Sequence, residues 1–254
     1  MEDKNCYSLI AAESKCDVDD LKEVYCEKLS VTGLRQESFD YLIEEYGSRF
    51  DEIDFYKCPL VPDLSMIEQL TNIQTLSYYW NQRANALWDL SKTPKLKNLS
   101  IDDFTRLNSL EALTASSSLE ELNFGNKVWS TFVLDSLEPL TRILKLKKLS
   151  FSAKKVVDGS IAPLADIKNL EELNFPTNLF KTEQVAWLTA KIGGTVISNV
   201  LAPVLEHSEY TFIIGKRKPT LDHEKDGARI EKYKEKFFKL VEFYRANPET
   251  PEPI

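Results

Sequence analysis

A short apolar pattern recurs seven times along this chain and constrains its fold more than any other feature of the sequence. The pattern is apolar-x-x-apolar-x-apolar, and its second apolar residues follow one another at intervals of 24, 23, 23, 23, 27 and 24 residues. A fixed period of about 20–50 residues predicts a solenoid, in which stacked units bury what one unit cannot. The 21 anchor residues are Cys26/Leu29/Val31, Phe50/Ile53/Phe55, Ile73/Leu76/Tyr78, Leu96/Leu99/Ile101, Leu119/Leu122/Phe124, Leu146/Leu149/Phe151 and Leu170/Leu173/Phe175.

The spacing of the anchors predicts which side of the solenoid each residue faces. Numbered from the first anchor, the apolar residues occupy positions 1, 4 and 6. Successive side chains of a β-strand point to opposite faces. Positions 4 and 6 are therefore predicted to face the core, and positions 3, 5 and 7 to face the concave surface of one parallel sheet with seven strands.

Two of the seven units carry the motif most clearly, as Leu119-Glu-Glu-Leu122-Asn-Phe124 and Leu170-Glu-Glu-Leu173-Asn-Phe175. They resemble the LxxLxLxx(N/C) motif of the leucine-rich repeat family, in its short bacterial class with 23–24-residue repeats. The resemblance covers about residues 26–190. It implies an α/β horseshoe with a parallel concave sheet, short helical or 3-10 convex segments and helical caps. Position 9 carries the family's Asn or Cys in three units and departs from it in four: Cys58, Asn81 and Asn178, against Leu34, Phe104, Lys127 and Lys154.

A second set of apolar residues lies between the motifs and predicts the convex wall. The 27-residue unit holds extra residues around Trp129–Asp135, which are predicted to bulge on the ascending side. The predicted wall residues are Leu64/Ile67/Leu70, Leu87/Leu90, Leu107/Leu110/Leu113, Leu137/Leu140/Leu144 and Ile161/Leu164/Ile167.

The chain is predicted to have three parts: an N-terminal cap (1–25), the repeats (26–194) and a C-terminal cap (195–254). In the second cap, Ile197 follows Leu173 by 24 residues and predicts a degenerate eighth repeat, before a strand at residues 210–214. A helix then follows, and a tail with three prolines, residues 247–254, is predicted to fray. The apolar face of that helix is Ile230, Tyr233, Phe237, Leu240, Val241 and Tyr244.

The net charge of −8 lies entirely at the N-terminal end. Residues 1–60 carry 15 acidic and 7 basic side chains, and the remaining residues carry 25 of each. An acidic end disfavours nucleic acid and anionic membranes as partners and suits a basic protein, although it also serves solubility. The start of the chain lacks a signal-peptide pattern, and the longest uncharged stretch, Ile192–Leu205, is too short to span a bilayer. These features predict a cytoplasmic protein.

No motif in the sequence predicts catalysis. The two histidines, His207 and His223, lie outside the repeats, and the four cysteines lack metal-ligand spacing. The sequence therefore predicts no catalytic residue, no metal site and no cofactor. Two small basic clusters occur, Lys216-Arg217-Lys218 and Lys147-Lys148 with Lys154-Lys155. The first is interpreted as a solvated edge, and Lys148, at concave position 3, is a candidate contributor to a partner site.

Aromatic residues at concave positions are the predicted binding site. Tyr56 and Tyr79 share position 7 of neighbouring units, and Trp80 follows at position 8. Neighbouring strands lie about 4.8 Å apart, so these rings are expected to meet. Tyrosine and tryptophan are enriched at binding hot spots, although local packing of the rings is the alternative. A flanking acidic rim is predicted from Glu52, Asp54, Asp102 and Asp103.

The sequence thus favours a non-catalytic module that binds another protein through the concave face of the solenoid. A narrower hypothesis is a bacterial immunity or inhibitor protein that blocks a basic toxin or nuclease. Two alternatives stay open. One is an enzyme or regulatory subunit with its activity in the C-terminal 60 residues, and the other is a structural spacer. The sequence makes no prediction of the partner's identity or of the oligomeric state.

Overall fold

The seven motifs build one continuous parallel sheet. The structure, a computed structural model, describes residues 5–126, 128 and 132–253. Its strands are β1 (Cys6–Leu9), β2 (Lys28–Thr32), β3 (Glu52–Tyr56), β4 (Thr75–Asn81), β5 (Asn98–Phe104), β6 (Glu121–Gly125), β7 (Val133–Leu134), β8 (Lys148–Ser152), β9 (Lys155–Val156), β10 (Glu172–Asn174), β11 (Val204–His207), β12 (Tyr210–Ile213) and β13 (Thr220–Asp222). The concave sheet has the order β1-β2-β3-β4-β5-β6-β8-β10, with neighbours parallel.

Helices cover the opposite wall and the C-terminal end. The α-helices are α1 (Lys15–Val18), α2 (Gln36–Tyr46), α3 (Thr182–Ile192) and α4 (Gly227–Ala246). The 3-10 helices are Asp19–Glu23, Gly47–Arg49, Ser65–Gln69, Leu90–Lys92, Glu111–Ala115, Glu138–Arg142 and Ala162–Asp166. In the part of the chain that the structure describes, none of the helices is both long enough and apolar enough to cross a membrane.

The repeat register is confirmed residue by residue. Leu99 pairs with Leu122 and Leu122 with Leu149, so equivalent anchors stack from coil to coil. Of the 21 anchors, 20 are buried, and Cys26 in the first unit is half-buried. On the core side of the sheet, the aromatic side chains at position 6 of neighbouring coils form a ladder. Phe124 stacks on Phe151 with ring centroids 5.4 Å apart, and Phe151 lies 5.8 Å from Phe175.

The convex wall follows the prediction except at Leu144, although Leu87 is only half-buried and its neighbour Trp88 is buried. Leu144 is 70 % exposed, and its neighbour Ile143 is buried in its place. The wall segments are mostly 3-10 helices, which have three residues per turn. Buried residues therefore recur every third position, as at Leu137, Leu140 and Ile143, and the interval of four that selected Leu144 is wrong.

The N-terminal end begins with an eighth strand that the prediction lacks. The N-terminal cap is predicted to be helical, but β1 pairs with β2 in parallel, and α1 and a 3-10 helix follow it. Helix α2 is a further addition on the convex side. Its buried residues Phe39, Leu42, Ile43 and Tyr46 have the three-to-four-residue spacing of an amphipathic helix.

The extra residues of the 27-residue unit are described only in part. Residues 127 and 129–131 lie outside the described residues, and the bulge predicted there is untested at those positions. Val133 and Leu134 form β7, which pairs in parallel with β9 as a small sheet. This sheet lies on the ascending side, where the chain passes from a concave strand to the convex wall.

The C-terminal end contains the predicted strand and helix, with one shift of register. Ile197 makes a parallel bridge with Glu172, not with Leu173, and its side chain is 73 % exposed. A slip of one residue turns a strand side chain to the opposite face, so Ile197 is not a core anchor. Strands β11, β12 and β13 form an antiparallel sheet, and α4 buries Ile230, Phe237, Val241 and Tyr244.

The proline-containing tail is docked, so the prediction that it frays is wrong. The Glu252 carboxylate accepts hydrogen bonds from the backbone N–H groups of Ile161 (2.9 Å) and Ala162 (3.1 Å) and from the Ser160 hydroxyl (2.6 Å). The Gln184 side chain also donates to it. The donors at residues 160–162 stand at the start of the 3-10 helix Ala162–Asp166. The tail is therefore bound to the segment that leads into β10.

Truncating a central anchor tests the core. We expect Leu122→Ala to lower the free energy of unfolding by about 2–5 kcal/mol, because Leu122 is buried in the middle of the sheet. Leu144→Ala is the matched control, since the same atoms are removed from an exposed site, and it should cost less than about 0.5 kcal/mol. Urea denaturation measures both. Equal losses would contradict the assignment of the core.

Neutralising the tail carboxylate tests its docking. Glu252→Gln should lower the free energy of unfolding by about 1–2 kcal/mol, because the three donors then face a neutral amide instead of a charged carboxylate. Amide hydrogen exchange at Ile161 and Ala162 should accelerate in the same variant. Glu249→Gln, at an exposed position of the same tail, is the control. Unchanged exchange at both amides would show that the tail is free.

Candidate functional site

Polar side chains form three aligned columns on the concave face. The register pairs position 5 of each coil with position 5 of the next, and positions 3 and 7 align in the same way. Hydrogen bonds join neighbouring residues of the position-5 column in two groups. The Asp54 carboxylate accepts from the hydroxyls of Ser77 (2.6 Å) and Ser30 (3.3 Å), and the Asn123 amide donates to the Ser100 hydroxyl at 2.8 Å.

The position-3 column carries charges of both signs that pair between coils. Lys28 lies 3.4 Å from Glu52, and Lys148 lies 2.8 Å from Glu121 and 3.8 Å from Glu172. These pairs are solvent-exposed and contribute little to stability. They do neutralise most of the column, so Glu52 is not a free acidic group.

The predicted aromatic residues do come together. The rings of Tyr56 and Tyr79 stack with centroids 5.2 Å apart and an interplanar angle of 17°. Tyr56 is 40 % exposed, and the Lys57 ammonium stands 5.1 Å from the centre of its ring. Tyr79 and Trp80 are half-buried. We call Tyr56, Tyr79 and Trp80 the aromatic cluster.

Position 8 lies within one residue of the end of its strand and has a left-handed backbone in four successive coils. The φ angles are +81° at Gly33, +55° at Lys57, +67° at Trp80 and +56° at Asp103. Glycine takes this conformation freely, whereas a bulky side chain is strained there. Trp80 is the largest of the four, and in the described part of the chain its buried indole Nε1–H has no hydrogen-bond partner. Core packing alone does not account for a tryptophan at this position.

The acidic rim is only half as predicted. Glu52 and Asp54 do lie at the concave surface, but Asp102 and Asp103 are 4 % and 1 % exposed. Asp102 accepts hydrogen bonds from the Ser100 hydroxyl (2.9 Å) and the Asn123 amide (3.0 Å). Asp103 accepts from the backbone N–H of Val128 at 3.2 Å. The 27-residue unit therefore contacts both aspartates of the preceding coil, through Asn123 and Val128, and both aspartates are buried. A pattern within one coil cannot predict this burial.

Two of the position-9 residues, Asn81 and Cys58, have structural roles at the turn. The Asn81 amide donates to the Val61 carbonyl (2.9 Å), and its oxygen accepts from the backbone N–H groups of Arg83 and Ala84, both at 2.8 Å. In the previous coil Cys58 takes this place. Burial raises the pKa of its thiol to about 11, so the thiolate that would react is scarce at neutral pH.

The described residues assemble no metal-binding group. Both histidines lie in the C-terminal sheet region, where the ring of His223 is 3.2 Å from the Thr211 hydroxyl. Across residues 5–126, 128 and 132–253, no three His, Cys, Asp or Glu side chains are grouped so as to hold a metal ion.

A polar groove of about 280 Å³, which lies outside the predicted site, runs along the concave sheet beside the aromatic cluster. Its polar walls come from positions 3 and 5 of strands β4, β5, β6, β8 and β10. The signal was available, since these positions follow from the same register as the anchors. The residues that bear the side-chain functional groups are Thr75, Ser77, Asn98, Ser100, Glu121, Asn123, Lys148, Ser150, Glu172 and Asn174.

Comparison with known proteins adds a fold-level likeness. No family model matches the chain, and no curated protein matches it. Among solved structures, the chain is similar to internalin C2 from Listeria monocytogenes, with 20 % sequence identity and a TM-score of 0.41 over 65 % of this chain and 77 % of that chain. Three features of the chain itself identify the fold: the motif that occurs seven times, the parallel sheet built from that motif and the 3-10 helices on the opposite wall. The fold is a leucine-rich repeat solenoid.

Proposed function

We propose that this chain is a non-catalytic protein-binding module that holds its partner on the concave face, at the aromatic cluster. The observation that carries the proposal is the stacked pair Tyr56 and Tyr79 beside Trp80, on the outer side of the sheet. The core lies on the other side of the strands and does not need these rings. Large aromatic side chains in such a place are typical of binding hot spots.

The polar columns support the same role. Serine and asparagine side chains beside the cluster offer hydrogen-bond donors and acceptors that are already held by their neighbours. Side chains that are ordered before binding lose less entropy on association. A partner would therefore meet a largely rigid surface with an aromatic anchor at one end and a polar groove along the sheet.

A narrower form of the proposal is an inhibitor or immunity protein that neutralises a basic toxin or nuclease in the cytoplasm. Its support is the acidic N-terminal segment, residues 1–60, which carries the whole net charge of −8. Asp102 and Asp103 no longer contribute to it, because both are buried. Of the predicted rim, Glu52 is paired with Lys28, and only Asp54 remains at the concave surface to attract a basic partner.

Removing the aromatic cluster should abolish partner binding. We expect Tyr56→Ala/Tyr79→Ala/Trp80→Ala to lose the protein that the wild type captures from a lysate of its source cells, as identified by mass spectrometry. With that partner purified, Tyr79→Ala alone should weaken binding by about 2 kcal/mol in calorimetry. The matched control is Phe238→Ala/Phe243→Ala, which removes two exposed aromatic rings from α4. Unimpaired binding by the folded triple variant would place the partner elsewhere.

Replacing the strained tryptophan separates binding from stability. Trp80→Gly relieves a left-handed backbone, a gain of order 1 kcal/mol that offsets part of the lost packing. We expect the free energy of unfolding to change by less than about 1 kcal/mol while partner binding is lost. Tyr79→Gly, one residue earlier in β4, has no such strain to relieve and should destabilise more. A large loss of stability at Trp80 would identify it as a packing residue.

A further inference from the structure

Three lysines from separate segments of the chain converge on one cavity at the C-terminal end. The cavity, about 130 Å³, is lined by Lys155 of β9, Lys181 before α3 and Lys216 after β12. All three are exposed, and within the described residues none of them makes an ion pair within 4.0 Å. A volume of about 10–15 Å³ suffices for a water molecule, so this cavity can admit a larger polar group.

Backbone hydrogen bonds fix the segments that carry these lysines. The turn after β12 binds the segment before α3 through Gly215 N–H to the Thr177 carbonyl (2.8 Å) and Lys216 N–H to the Phe180 carbonyl (2.6 Å). Gly215 has a φ of +136°, and a Cβ there would stand 2.1 Å from the Thr182 hydroxyl, so glycine alone allows this close approach. The convergence of the lysines is therefore built into the fold.

The positive surface continues from this cavity onto α4. Lys218 stands over the Tyr233 ring at 5.7 Å, and Lys236 lies 3.3 Å from Glu183. A groove of about 540 Å³ follows on α4, lined by Tyr233, four basic residues and one acidic residue: Arg229, Lys232, Lys236, Lys239 and Glu235. Two of those charged residues, Lys232 and Lys239, make no ion pair with the described residues. We call this surface the basic band: Lys155, Lys181, Lys216, Lys218, Lys232, Lys236 and Lys239.

Carboxylate binding already occurs beside the basic band. Gln184 lines the lysine cavity, and its amide donates to the Gly159 carbonyl (2.8 Å) and to the carboxylate of Glu252 in the docked tail. The tail runs along α3, where the Trp187 indole N–H donates to the Thr250 carbonyl at 3.0 Å and Lys191 donates to the Pro248 carbonyl. The side of α3 next to the cavity thus binds the chain's own tail through one carboxylate and two backbone carbonyl groups.

We propose that the basic band is a second binding surface, whose ligand is an acidic polypeptide segment. One carboxylate of the segment enters the cavity between Lys155, Lys181 and Lys216, and further carboxylates follow the lysines of α4. Unpaired like charges held close together repel one another, and a partner's carboxylates relieve that repulsion. This surface is distinct from the aromatic cluster and does not depend on the function proposed for it.

A polypeptide fits this surface better than a nucleic acid. Duplex DNA carries one negative charge for about every 1.7 Å of its axis, and the chain's net charge of −8 opposes such a dense polyanion. Single strands are usually held by exposed aromatic rings on which bases stack. The aromatic residues that line the two cavities do not offer such rings, because Phe180 is buried and Lys218 stands over Tyr233.

Charge reversal of the cavity tests the proposal. The probe is a fluorescein-labelled ten-residue peptide of alternating glutamate and glycine, and its binding to the full chain is followed by fluorescence anisotropy. We expect saturable binding that weakens with added salt, and at least about tenfold weaker binding by Lys155→Glu/Lys181→Glu/Lys216→Glu. Lys92→Glu/Lys95→Glu/Lys168→Glu makes the same change in net charge on the convex side and should bind within about twofold of wild type.

Four results would overturn the proposal: no saturable binding, equal weakening by the two triple variants, tighter binding of a ten-nucleotide oligothymidine than of the peptide, or self-association of the wild type that the cavity variant abolishes. The last result, measured by light scattering, would assign the basic band to the acidic end of a second copy. Tyr56→Ala/Tyr79→Ala/Trp80→Ala should bind the peptide as the wild type does. Failure here therefore leaves the concave-face proposal standing, and the reverse also holds.

Discussion

The structure depends on one constraint: the apolar anchors of a single coil have no partners within that coil. Leu99, Leu122 and Leu149 are buried because equivalent residues of the neighbouring coils lie against them. Stacking must keep the coils in register, since a slip of one residue would turn every anchor outward. The same register aligns the polar positions on the concave face, so one interaction sets both the core and the surface for which we propose binding.

The turn at the end of each strand adds a second constraint, which bears on the proposed site. Position 8 has a left-handed backbone, and Gly33 meets that demand without strain. Lys57, Trp80 and Asp103 occupy the same place in the next three coils, each with a side chain that costs backbone energy. At Lys57 and Trp80 the side chains belong to or contact the aromatic cluster. Strain is thus concentrated beside the residues for which we propose a function.

Charge is divided between the two ends of the solenoid. Residues 1–60 hold the entire net charge of −8, whereas the C-terminal end presents the basic band. Between them, the concave columns pair their charges internally, as Lys148 does with Glu121 and Glu172. The chain therefore offers three chemically different surfaces: an acidic end, an aromatic and polar concave face, and a basic end. Each would select a different kind of partner.

Local periodicity in the sequence determined the repeat, the strand register and the stacking of Tyr56 on Tyr79, because all three follow from the position of a residue within its own coil. The burial of Asp102 and Asp103, the exposure of Ile197 and the docking of Glu252 depend on segments that are distant in sequence. The same is true of Lys155, Lys181 and Lys216, which separate hydrogen-bonded segments bring to one cavity. Only the tertiary structure decided these features, because contacts between distant segments have no period that a single coil can reveal.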